Sequence, residues 1–466
     1  MRKIFKSCNK GYLYQCLATI TGSFSALSIG INSAWTSPYL PQILNGAYPD
    51  IQMTSDEGSW CAVMPPLAAP IGAFLAAQLV DRIGRKATTL LVAPFTFAMF
   101  LALAFTTNFY LICAIRFGIG VVETVLYTSL PMYLGEIAAP SIRGILTSSV
   151  GFAFLIGTLI INVLGIYVDI FISSLICALV PLLHFLTYVL MPESPYYYIK
   201  KNNEEEAKKS LIKFRGTPDV DDELKTLTEM IRKQEKEEQS SVLNLFTVKT
   251  NRLGLCIFFI LNVTRKFSGS SPFLFYTGMI FKEAGGSIDA NLSVIIFLCV
   301  QIASAMVSLT IIDRIGRRPV IISSTIICTL ALAVSGLYFY FKRDSQFCIE
   351  HLGWLPLTVL TGYMIFYNLG LELSPMVYAS ELFPTNVKAA ALGVVDSISA
   401  LNGIVTIKLF QILTDSHGMH LPFWVFSGCC GITLILIIKY VPETKNKSLE
   451  EIQLDLLRLS GSKPRE

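Results

Sequence analysis

The chain contains 466 residues, of which 53% are hydrophobic and only 15% are charged. Soluble proteins carry about 25% charged residues, so this composition excludes a soluble globular protein and indicates a chain that lies in a lipid bilayer. The 37 Lys and Arg residues against 33 Asp and Glu give a formal charge of +4, which is too small for a protein that binds nucleic acid.

Twelve apolar stretches predict membrane-spanning helices. A span needs about 20 apolar residues, and a helix of that length satisfies its own backbone hydrogen bonds in lipid. We therefore predict an all-α membrane protein. The predicted spans are residues 12–34, 59–80, 87–107, 109–132, 145–166, 170–191, 252–281, 290–312, 319–341, 353–380, 387–412 and 420–441.

The distribution of basic residues in the short connections predicts the orientation of the spans. Lys and Arg are concentrated on the side that also holds both termini, and the cytosolic side is the one enriched in them. Both termini are therefore expected to be cytosolic, and residues 35–58, which lack Lys and Arg, form the first outer loop.

A charged insertion separates the first six predicted spans from the last six. Residues 193–250 hold 11 Lys and Arg and 12 Asp and Glu, with i,i+4 pairs typical of exposed helices. We predict a helical cytosolic linker, and both a regulatory role and a merely solvated connector are open. The predicted domains are residues 1–192, 193–250, 251–445 and a cytosolic tail, 446–466.

An internal repeat relates the two groups of six spans. Three signatures recur in the same order at offsets of 232 to 250 residues: Asp81–Lys86 with Asp313–Arg318, Glu136 and Arg143 with Glu381 and Lys388, and Pro192–Pro195 with Pro442–Lys445. We infer two pseudo-symmetric six-helix bundles. Such halves are typical of transporters that rock about a central site.

The repeated turns are predicted to act as gates, in which ion pairs hold the cytosolic side shut until the halves rock. Glycine permits the tight connection between adjacent helices. The alternative is that these basic residues only anchor the orientation. The gating set is Asp81, Arg82, Gly84, Arg85, Lys86, Glu136 and Arg143, with Asp313, Arg314, Gly316, Arg317, Arg318, Glu381 and Lys388.

Cysteine and glycine patterns give no sign of a cofactor. Most of the eleven cysteines lie in apolar stretches, where they are interpreted as small core residues, and no Cys or His cluster has metal-site spacing. No glycine-rich phosphate loop is present. We therefore expect no metal, no cofactor, no ATP-driven step and, because no set of nucleophile and base can be assembled, no enzymatic activity.

Motifs along almost the whole chain resemble the sugar porter branch of the major facilitator superfamily, and in detail the insect facilitated trehalose transporters. Besides the repeated signatures they include Trp35–Pro38, Trp60, Arg116, Phe267–Gly269 and Phe281–Gly285. The resemblance implies the twelve-helix major facilitator fold, a location in the plasma membrane, and alternating-access transport of a sugar such as trehalose or a hexose.

The predicted substrate site departs from the sugar porter pattern. Two glutamines of the seventh span are replaced by Arg265 and Lys266, and the tenth span lacks the tryptophan that stacks on sugars. The site is nevertheless expected to include Arg265, Lys266, Ser268, Ser271, Gln301, Asn368 and Met376. The alternative for such polar residues is hydrogen bonding between helices.

Charged residues at membrane depth are costly and tend to face cavities or partners. In this chain the charges predicted to lie at membrane depth are Arg116, Glu123, Glu372, Asp396, Arg265, Lys266 and Lys408. We expect Arg265 or Lys266 to pair with Glu372 or Asp396 across the cavity. The alternative is that an unpaired cation binds an anionic solute.

The sequence therefore favours a facilitative sugar uniporter, whose partners are a small solute and the lipid bilayer. Three alternatives are open: a carrier of another small polar or anionic solute, a proton-coupled symporter that uses Glu123 or Asp396, and a sugar sensor that does not transport. The resemblance favours uniport, because the first span lacks the acidic residue of proton-coupled relatives.

Overall fold

A computed structural model describes residues 10–237, 243–343, 350–383, 385–445, 447, 451–452 and 456. Within these ranges the side chains of residues 234–237, 243–244, 309–310, 312–313, 350, 380, 385–390 and 396 are outside the description. Every regular element in this part of the chain is helical.

The helices follow one another with short connections. The first ten are α1 Lys10–Ala34, α2 Thr36–Leu44, α3 Ser55–Ile83, α4 Arg85–Phe105, α5 Phe109–Ile137, α6 Arg143–Tyr167, α7 Ile170–Tyr188, α8 Pro195–Lys200, α9 Glu204–Arg215 and α10 Asp221–Glu237. The remaining nine are α11 Leu243–Thr247, α12 Lys249–Arg265, α13 Ser271–Ala284, α14 Ala290–Ile315, α15 Arg317–Arg343, α16 Leu355–Phe366, α17 Ser374–Leu382, α18 Thr385–His417 and α19 His420–Tyr440.

Among the described residues, nine helices are long and apolar enough to cross a bilayer: α3 to α7, α14, α15, α18 and α19. They coincide with nine of the twelve predicted spans. Helix α1 covers the predicted first span, but its many hydroxyl and amide side chains lower its hydropathy. The total of twelve spans and the cytosolic termini stay predictions.

The seventh and tenth predicted spans, 252–281 and 353–380, each contain a π-helical interruption that the hydropathy pattern did not indicate. A π-helical segment, Lys266–Ser270, separates α12 from α13, and another, Tyr367–Glu372, separates α16 from α17. The predicted outer loop 35–58 is partly wrong, because it contains α2.

Proline explains both interruptions. Pro272 and Pro375 lack the N–H group that an α-helix would donate to the carbonyl four residues earlier. Those carbonyls belong to Ser268 and Leu371, which both lie in the π-helical segments. Gly269 adds a positive φ of 92°, which a larger residue would adopt only at a cost.

The described chain forms two compact units. The first contains residues up to Trp35 and Leu67–Gln239, and the second contains Thr36–Pro66 and the residues from Ser240 onward. The linker helices α8 to α10 belong to the first unit, where Leu224 and Leu227 pack on a small core around Ile231. The predicted domain boundaries stay predictions.

Helices α1 and α6 of the first unit cross with their backbones in close contact. A Cβ atom on Gly30 would lie 1.9 Å from the carbonyl oxygen of Phe154, and one on Gly157 would lie 2.1 Å from that of Leu27. Small residues at helix crossings permit this approach in membranes. Packing of α1 therefore depends on glycine at both positions.

We predict that Gly157→Ala lowers the thermal unfolding temperature of the detergent-purified protein. The added methyl group would overlap the α1 backbone, at a cost of about 1–3 kcal/mol, which exceeds the gain of about 1 kcal/mol in helix propensity. Gly151→Ala on the same helix is the control, because no atom lies within 4 Å of its Cβ position. Equal unfolding temperatures for the two variants would contradict the prediction.

Candidate functional site

An ion pair joins the two helix interruptions of the second unit. Arg265 ends α12, and its Nε atom lies 2.9 Å from Oε2 of Glu372, which ends the second π-helical segment. Its Nη2 atom pairs with Oε1 of the same carboxylate. This two-point contact is the strong geometry of an Arg–carboxylate pair. The predicted pairing of Arg265 with Glu372 is confirmed.

The pair is buried only in part, so it presents polar atoms to its surroundings. The Arg265 side chain is 28% exposed and that of Glu372 is 37% exposed. The Tyr367 hydroxyl donates a hydrogen bond to Oε2 of Glu372 and fixes the carboxylate from a third side. Because the guanidinium charge is balanced, Arg265 is not the unpaired cation of the anion-carrier alternative.

Hydroxyl groups satisfy the backbone where α12 is interrupted. Ser268 and Ser270 donate to the carbonyl of Arg265, over 2.7 and 3.0 Å, and the Tyr363 hydroxyl donates to the carbonyl of Ser268 over 2.8 Å. Irregular backbone at membrane depth needs such internal partners. The interruption is therefore a stable feature of the fold.

Asn368 connects the second interruption to α14. Its Nδ2 group donates to the main-chain carbonyl of Gln301 over 3.1 Å and to the Ser304 hydroxyl over 2.8 Å. Asn368 and Gln301 are both predicted solute ligands. The structure shows them in contact, but through the Gln301 main chain, as in the alternative of bonding between helices.

Lys266 and Ser271 lie on the side that approaches α18. A Cβ atom at Gly403 of α18 would lie 3.9 Å from Nζ of Lys266 and 3.5 Å from Oγ of Ser271. Met376, in α17, is 76% exposed. Six of the seven predicted solute ligands therefore lie at the two interruptions or contact them, and a role in binding stays a prediction for all seven.

The first unit contains a separate buried polar group on α5. Arg116 is fully buried, and its Nη1 atom donates to the carbonyl of Asn32 over 3.1 Å and to its side-chain oxygen over 3.3 Å. The guanidinium also lies 5.2 Å from the centre of the Trp35 ring. Glu123 is 7% exposed, and its Oε1 atom has no hydrogen-bond partner among the described residues.

The predicted gate of the first unit is a network around two glutamates. Arg85 Nε donates to Glu136 over 3.0 Å, and the Ser194 hydroxyl donates to the same carboxylate. The Glu193 carboxylate accepts from the backbone N–H groups of Lys86 and Ala87 over 2.8 and 3.1 Å. A carboxylate in this place caps the N-terminus of α4 and complements its dipole.

The second unit repeats the ion pair, the capping carboxylate and the tyrosine contact of this network. Arg317 lies 3.1 Å from Glu381, and Glu443 accepts from the backbone N–H groups of Arg317 and Arg318 over 3.1 and 3.0 Å. Tyr378 donates to the carbonyl of Pro442 over 3.0 Å, as Tyr133 of the first unit does to that of Pro192 over 2.7 Å. The repeat in the sequence therefore encodes a repeated set of contacts.

The capping glutamates were missed as functional residues, although the repeated Pro-Glu pair was the signal for them. Burial disfavours the charged form of Glu443, but hydrogen bonds from four backbone N–H groups outweigh this and lower its pKa below the usual value. Its contribution to stability is therefore present at neutral pH and is lost as the pH falls through the lowered pKa.

The other predicted gating residues have weaker contacts. Asp81 is 62% exposed and lies 3.9 Å from Arg85 and 3.6 Å from Lys200. Arg82 and Arg314 accept hydrogen bonds at their main-chain carbonyls, and Arg143 is exposed at the start of α6. The side chains of Asp313, Lys388 and Asp396 lie outside the described residues, so their predicted roles stay predictions.

Glycine at the two turns is required by the same carboxylates. Gly84 has a φ of 102°, and its Cβ would lie 2.4 Å from an oxygen of Glu193. Gly316 has a φ of 119°, and its Cβ would lie 3.1 Å from an oxygen of Glu443. A residue with a side chain at either position would strain the backbone, and its Cβ atom would lie too close to the capping carboxylate.

Comparison with known proteins gives a family match and several similar chains. A family model described as "Sugar (and other) transporter" matches residues 15–456. The facilitated trehalose transporter Tret1-2 homolog of Drosophila sechellia is 34% identical over 448 residues, which cover 95% of this chain and 91% of that one. Trehalose transporter 1 of Drosophila melanogaster is 32% identical over 448 residues. The match covers 95% of this chain and 52% of that relative.

Solved structures of the xylose transporter XylE from E. coli have a similar fold. The inward-open conformation aligns with a TM-score of 0.76 at 19% identity and covers 94% of this chain and 98% of that one. The complex with 6-bromo-6-deoxy-D-glucose aligns with a TM-score of 0.73 at 21% identity and covers 96% and 100%. At this identity the comparison establishes the fold alone, which this chain shares with those structures.

We predict that Gly84→Ala lowers the thermal unfolding temperature, because it strains the turn and displaces Glu193 from the N-terminus of α4. Gly84 has a φ of 102° and a ψ of 168°, a region that residues with a side chain occupy only at a cost of about 1–3 kcal/mol. Gly144→Ala, in the first turn of α6 with no atom within 4 Å of its Cβ position, is the control and should not be destabilised.

Because Gly84→Ala and Glu193→Gln disturb the same contact, we expect their combined loss of stability to be smaller than the sum of the two. Additive losses would show that the turn and the carboxylate act independently.

Proposed function

We propose that this chain, which belongs to the sugar (and other) transporter family, moves a neutral sugar across the plasma membrane by alternating access. Proteins of this family are transporters, not enzymes. The relatives named as trehalose transporters support trehalose or a hexose as the solute. We further propose twelve spans, cytosolic termini and facilitative uniport.

The observation that carries the choice of a neutral solute is the Arg265–Glu372 pair. An anion would need a cation whose charge is available, whereas the charge of this guanidinium is opposed by a carboxylate at 2.9 Å. The outer N–H groups and lone pairs of such a pair can donate to and accept from hydroxyl groups. A polyhydroxylated, uncharged solute satisfies both partners.

The helix interruptions provide a second reason. Substrate sites of such carriers are formed where helices are discontinuous near the bilayer midplane. In the second unit the interruptions at Lys266–Ser270 and Tyr367–Glu372 bring most of the predicted polar ligands to one region. Rearrangement of short helix segments such as α13 and α17 would open and close that region.

We expect Arg265→Gln and Glu372→Gln each to reduce sugar uptake by at least about tenfold, because each leaves a charge without its partner at membrane depth. The double variant Arg265→Gln/Glu372→Gln restores neutrality and should retain more uptake than either single variant. Uptake of labelled trehalose, glucose and a panel of organic anions into liposomes measures this.

Arg252→Gln is the control, because Arg252 is an exposed cation on the same helix, α12. Uptake of an anion, but of no sugar, that disappears in Arg265→Gln would contradict the proposal and support the anion carrier. Sugar binding without any uptake would support the sensor.

Glu123 supports one second candidate, proton-coupled transport. Its buried Oε1 atom has no partner among the described residues, as expected of a carboxyl group that exchanges a proton. Apart from the residues at their ends, the apolar helices α1 and α3 to α7 contain three acidic, basic or histidine residues, which are Arg116, Glu123 and His184. His184 contacts the carbonyl of Thr21, so Arg116 is the charge that faces Glu123 from its own helix.

Under this second candidate, an inward proton gradient should increase sugar uptake by wild-type protein several-fold, and Glu123→Gln should remove the increase. Sugar exchange without a gradient is the control and should persist in Glu123→Gln. Wild-type uptake that is independent of the gradient would exclude proton coupling and leave the uniporter.

A further inference from the structure

The Arg265–Glu372 pair has two edges, and the protein uses them unequally. On the first edge Arg265 Nε lies 2.9 Å from Oε2 of Glu372, and on the second edge Nη2 pairs with Oε1. The Tyr367 hydroxyl adds a contact to the first edge, 2.5 Å from Oε2. In the part of the chain that the structure describes, neither Nη2 nor Oε1 has a further hydrogen-bond partner. The second edge, here called the Nη2–Oε1 edge, is therefore the one at which a solute can bind.

The hydrogen-bonding capacity of this edge follows from the chemistry of the two groups. Each carboxylate oxygen has two lone pairs, and each Nη atom of a guanidinium has two N–H groups. Arg265 Nε and Tyr367 occupy both lone pairs of Oε2, whereas Nη2 occupies one lone pair of Oε1. One lone pair of Oε1 and one N–H group of Nη2 are left side by side for a solute.

Tyr367 is held so that its hydroxyl meets this one oxygen. Its ring stacks on that of Tyr363, with ring centres 5.8 Å apart and planes at 19°. Tyr363 is fixed in turn, because its hydroxyl donates to the carbonyl of Ser268 over 2.8 Å. Both tyrosines are buried. The difference between the two edges is therefore built into the packing of the interrupted helices.

The Nη2–Oε1 edge matches the geometry of two hydroxyl groups on neighbouring carbon atoms. Its donor and acceptor atoms are separated by one hydrogen bond, and two gauche hydroxyl oxygens on neighbouring carbons are about the same distance apart. One hydroxyl can then donate to Oε1 of Glu372 while the other accepts from Nη2 of Arg265.

Other arrangements of hydroxyl groups fit this edge less well. A single hydroxyl would have to form both hydrogen bonds around one oxygen atom, at angles that weaken each of them. Equatorial hydroxyls on carbons that are not neighbours lie too far apart to reach both atoms. The edge therefore selects for the spacing of the hydroxyl groups and not only for their presence.

We propose that the Nη2–Oε1 edge binds two neighbouring hydroxyl groups of the solute, and that Tyr367 is the positioning residue that confines binding to this edge. The proposal rests on the transport of a neutral sugar proposed above and names the feature of the sugar that the site selects. The ligand class is uncharged solutes with a gauche vicinal diol, which includes sugars and cyclic polyols.

Two isomeric triols test the diol without any transport measurement. The all-equatorial isomer of cyclohexane-1,2,3-triol has neighbouring hydroxyl groups, whereas all-equatorial cyclohexane-1,3,5-triol has the same number of hydroxyls and none on neighbouring carbons. We expect the 1,2,3-triol to stabilise the detergent-purified protein against thermal unfolding at concentrations at least about tenfold lower, the effect of one hydrogen bond to a charged group. Equal binding of the two isomers, or binding of neither, would overturn the proposal.

Tyr367→Phe tests the positioning role, because it keeps the stacked ring and removes only the hydroxyl. Oε2 of Glu372 then regains a lone pair at which a single hydroxyl can bind, so we expect the preference for the 1,2,3-triol to fall at least about threefold. Tyr338→Phe is the matched control: it removes a tyrosine hydroxyl that donates to the carbonyl of Ala284 over 3.0 Å, and it should keep the preference.

The ratio of the two affinities separates positioning from a general structural role. If Tyr367→Phe weakened the binding of both triols by the same factor, the hydroxyl would support the fold and the positioning role would be overturned. An unchanged preference in Tyr367→Phe would overturn it as well.

Competition with sugar uptake into liposomes connects the edge to transport. We expect the 1,2,3-triol to inhibit uptake at concentrations at least about tenfold lower than the 1,3,5-triol. A protein that prefers the 1,2,3-triol but carries no sugar would overturn the proposed function and leave the diol site established. A protein that carries sugar but binds the two triols equally would overturn the diol site and leave the proposed function intact.

Discussion

The hydrocarbon interior does not tolerate an unpaired charge or an unpaired backbone group, and the described structure is arranged around this constraint. Where Pro272 leaves the carbonyl of Ser268 without its helical donor, the Tyr363 hydroxyl donates to that carbonyl, and the hydroxyls of Ser268 and Ser270 donate to the nearby carbonyl of Arg265. Where a cation enters the membrane, a carboxylate or carbonyl meets it, as Glu372 meets Arg265 and Asn32 meets Arg116. The polar groups that a solute could use are thus the same groups that compensate for the interrupted backbone and the buried charges. They are concentrated where the helices are interrupted.

The sequence repeat corresponds to the same arrangement of ion pair and helix cap in both units. In each unit a glutamate from a short connection caps the helix that follows the glycine turn, and an arginine at that helix start pairs with a second glutamate. In each unit two helices and the connection after a third helix are thereby joined by charged groups. Because the network is confined to one unit in each case, it stiffens the end of a bundle and leaves the bundle free to move as a body.

Hydropathy located most of the fold, because the nine long apolar helices found among the described residues each give a clear apolar stretch in the sequence. It could not locate the interruptions, since averaging over about 20 residues conceals the effect of one proline or glycine. Pairing of Arg265 with Glu372 was predictable because few other charges lie at that depth. The hydrogen bond from Asn368 to the main-chain carbonyl of Gln301, rather than to its side-chain amide, was not predictable. A sequence shows which side chain is present, but it does not show whether the main chain is the better acceptor. Lys408 was recognised as a charge at membrane depth, yet its contact with Asp56 was not predicted, because Asp56 lies in the expected outer loop and was not counted among the charges at that depth.

Residues 36–66, which contain α2 and the first turns of α3, cluster with the residues from Ser240 onward, and this placement has a consequence for biosynthesis. Ser59 contacts Lys408, which lies 349 residues later in the chain. At a synthesis rate of 5–20 residues per second, residues 36–66 therefore exist for roughly 20 to 70 seconds before Lys408 is made. During that interval Asp56 and Trp60 have no Lys408 to contact, and for the first part of it α2 has no α13 to pack against. One of the earliest parts of the chain thus reaches its final environment only after one of the latest helices has been inserted, so the order of assembly is opposite to the order of synthesis.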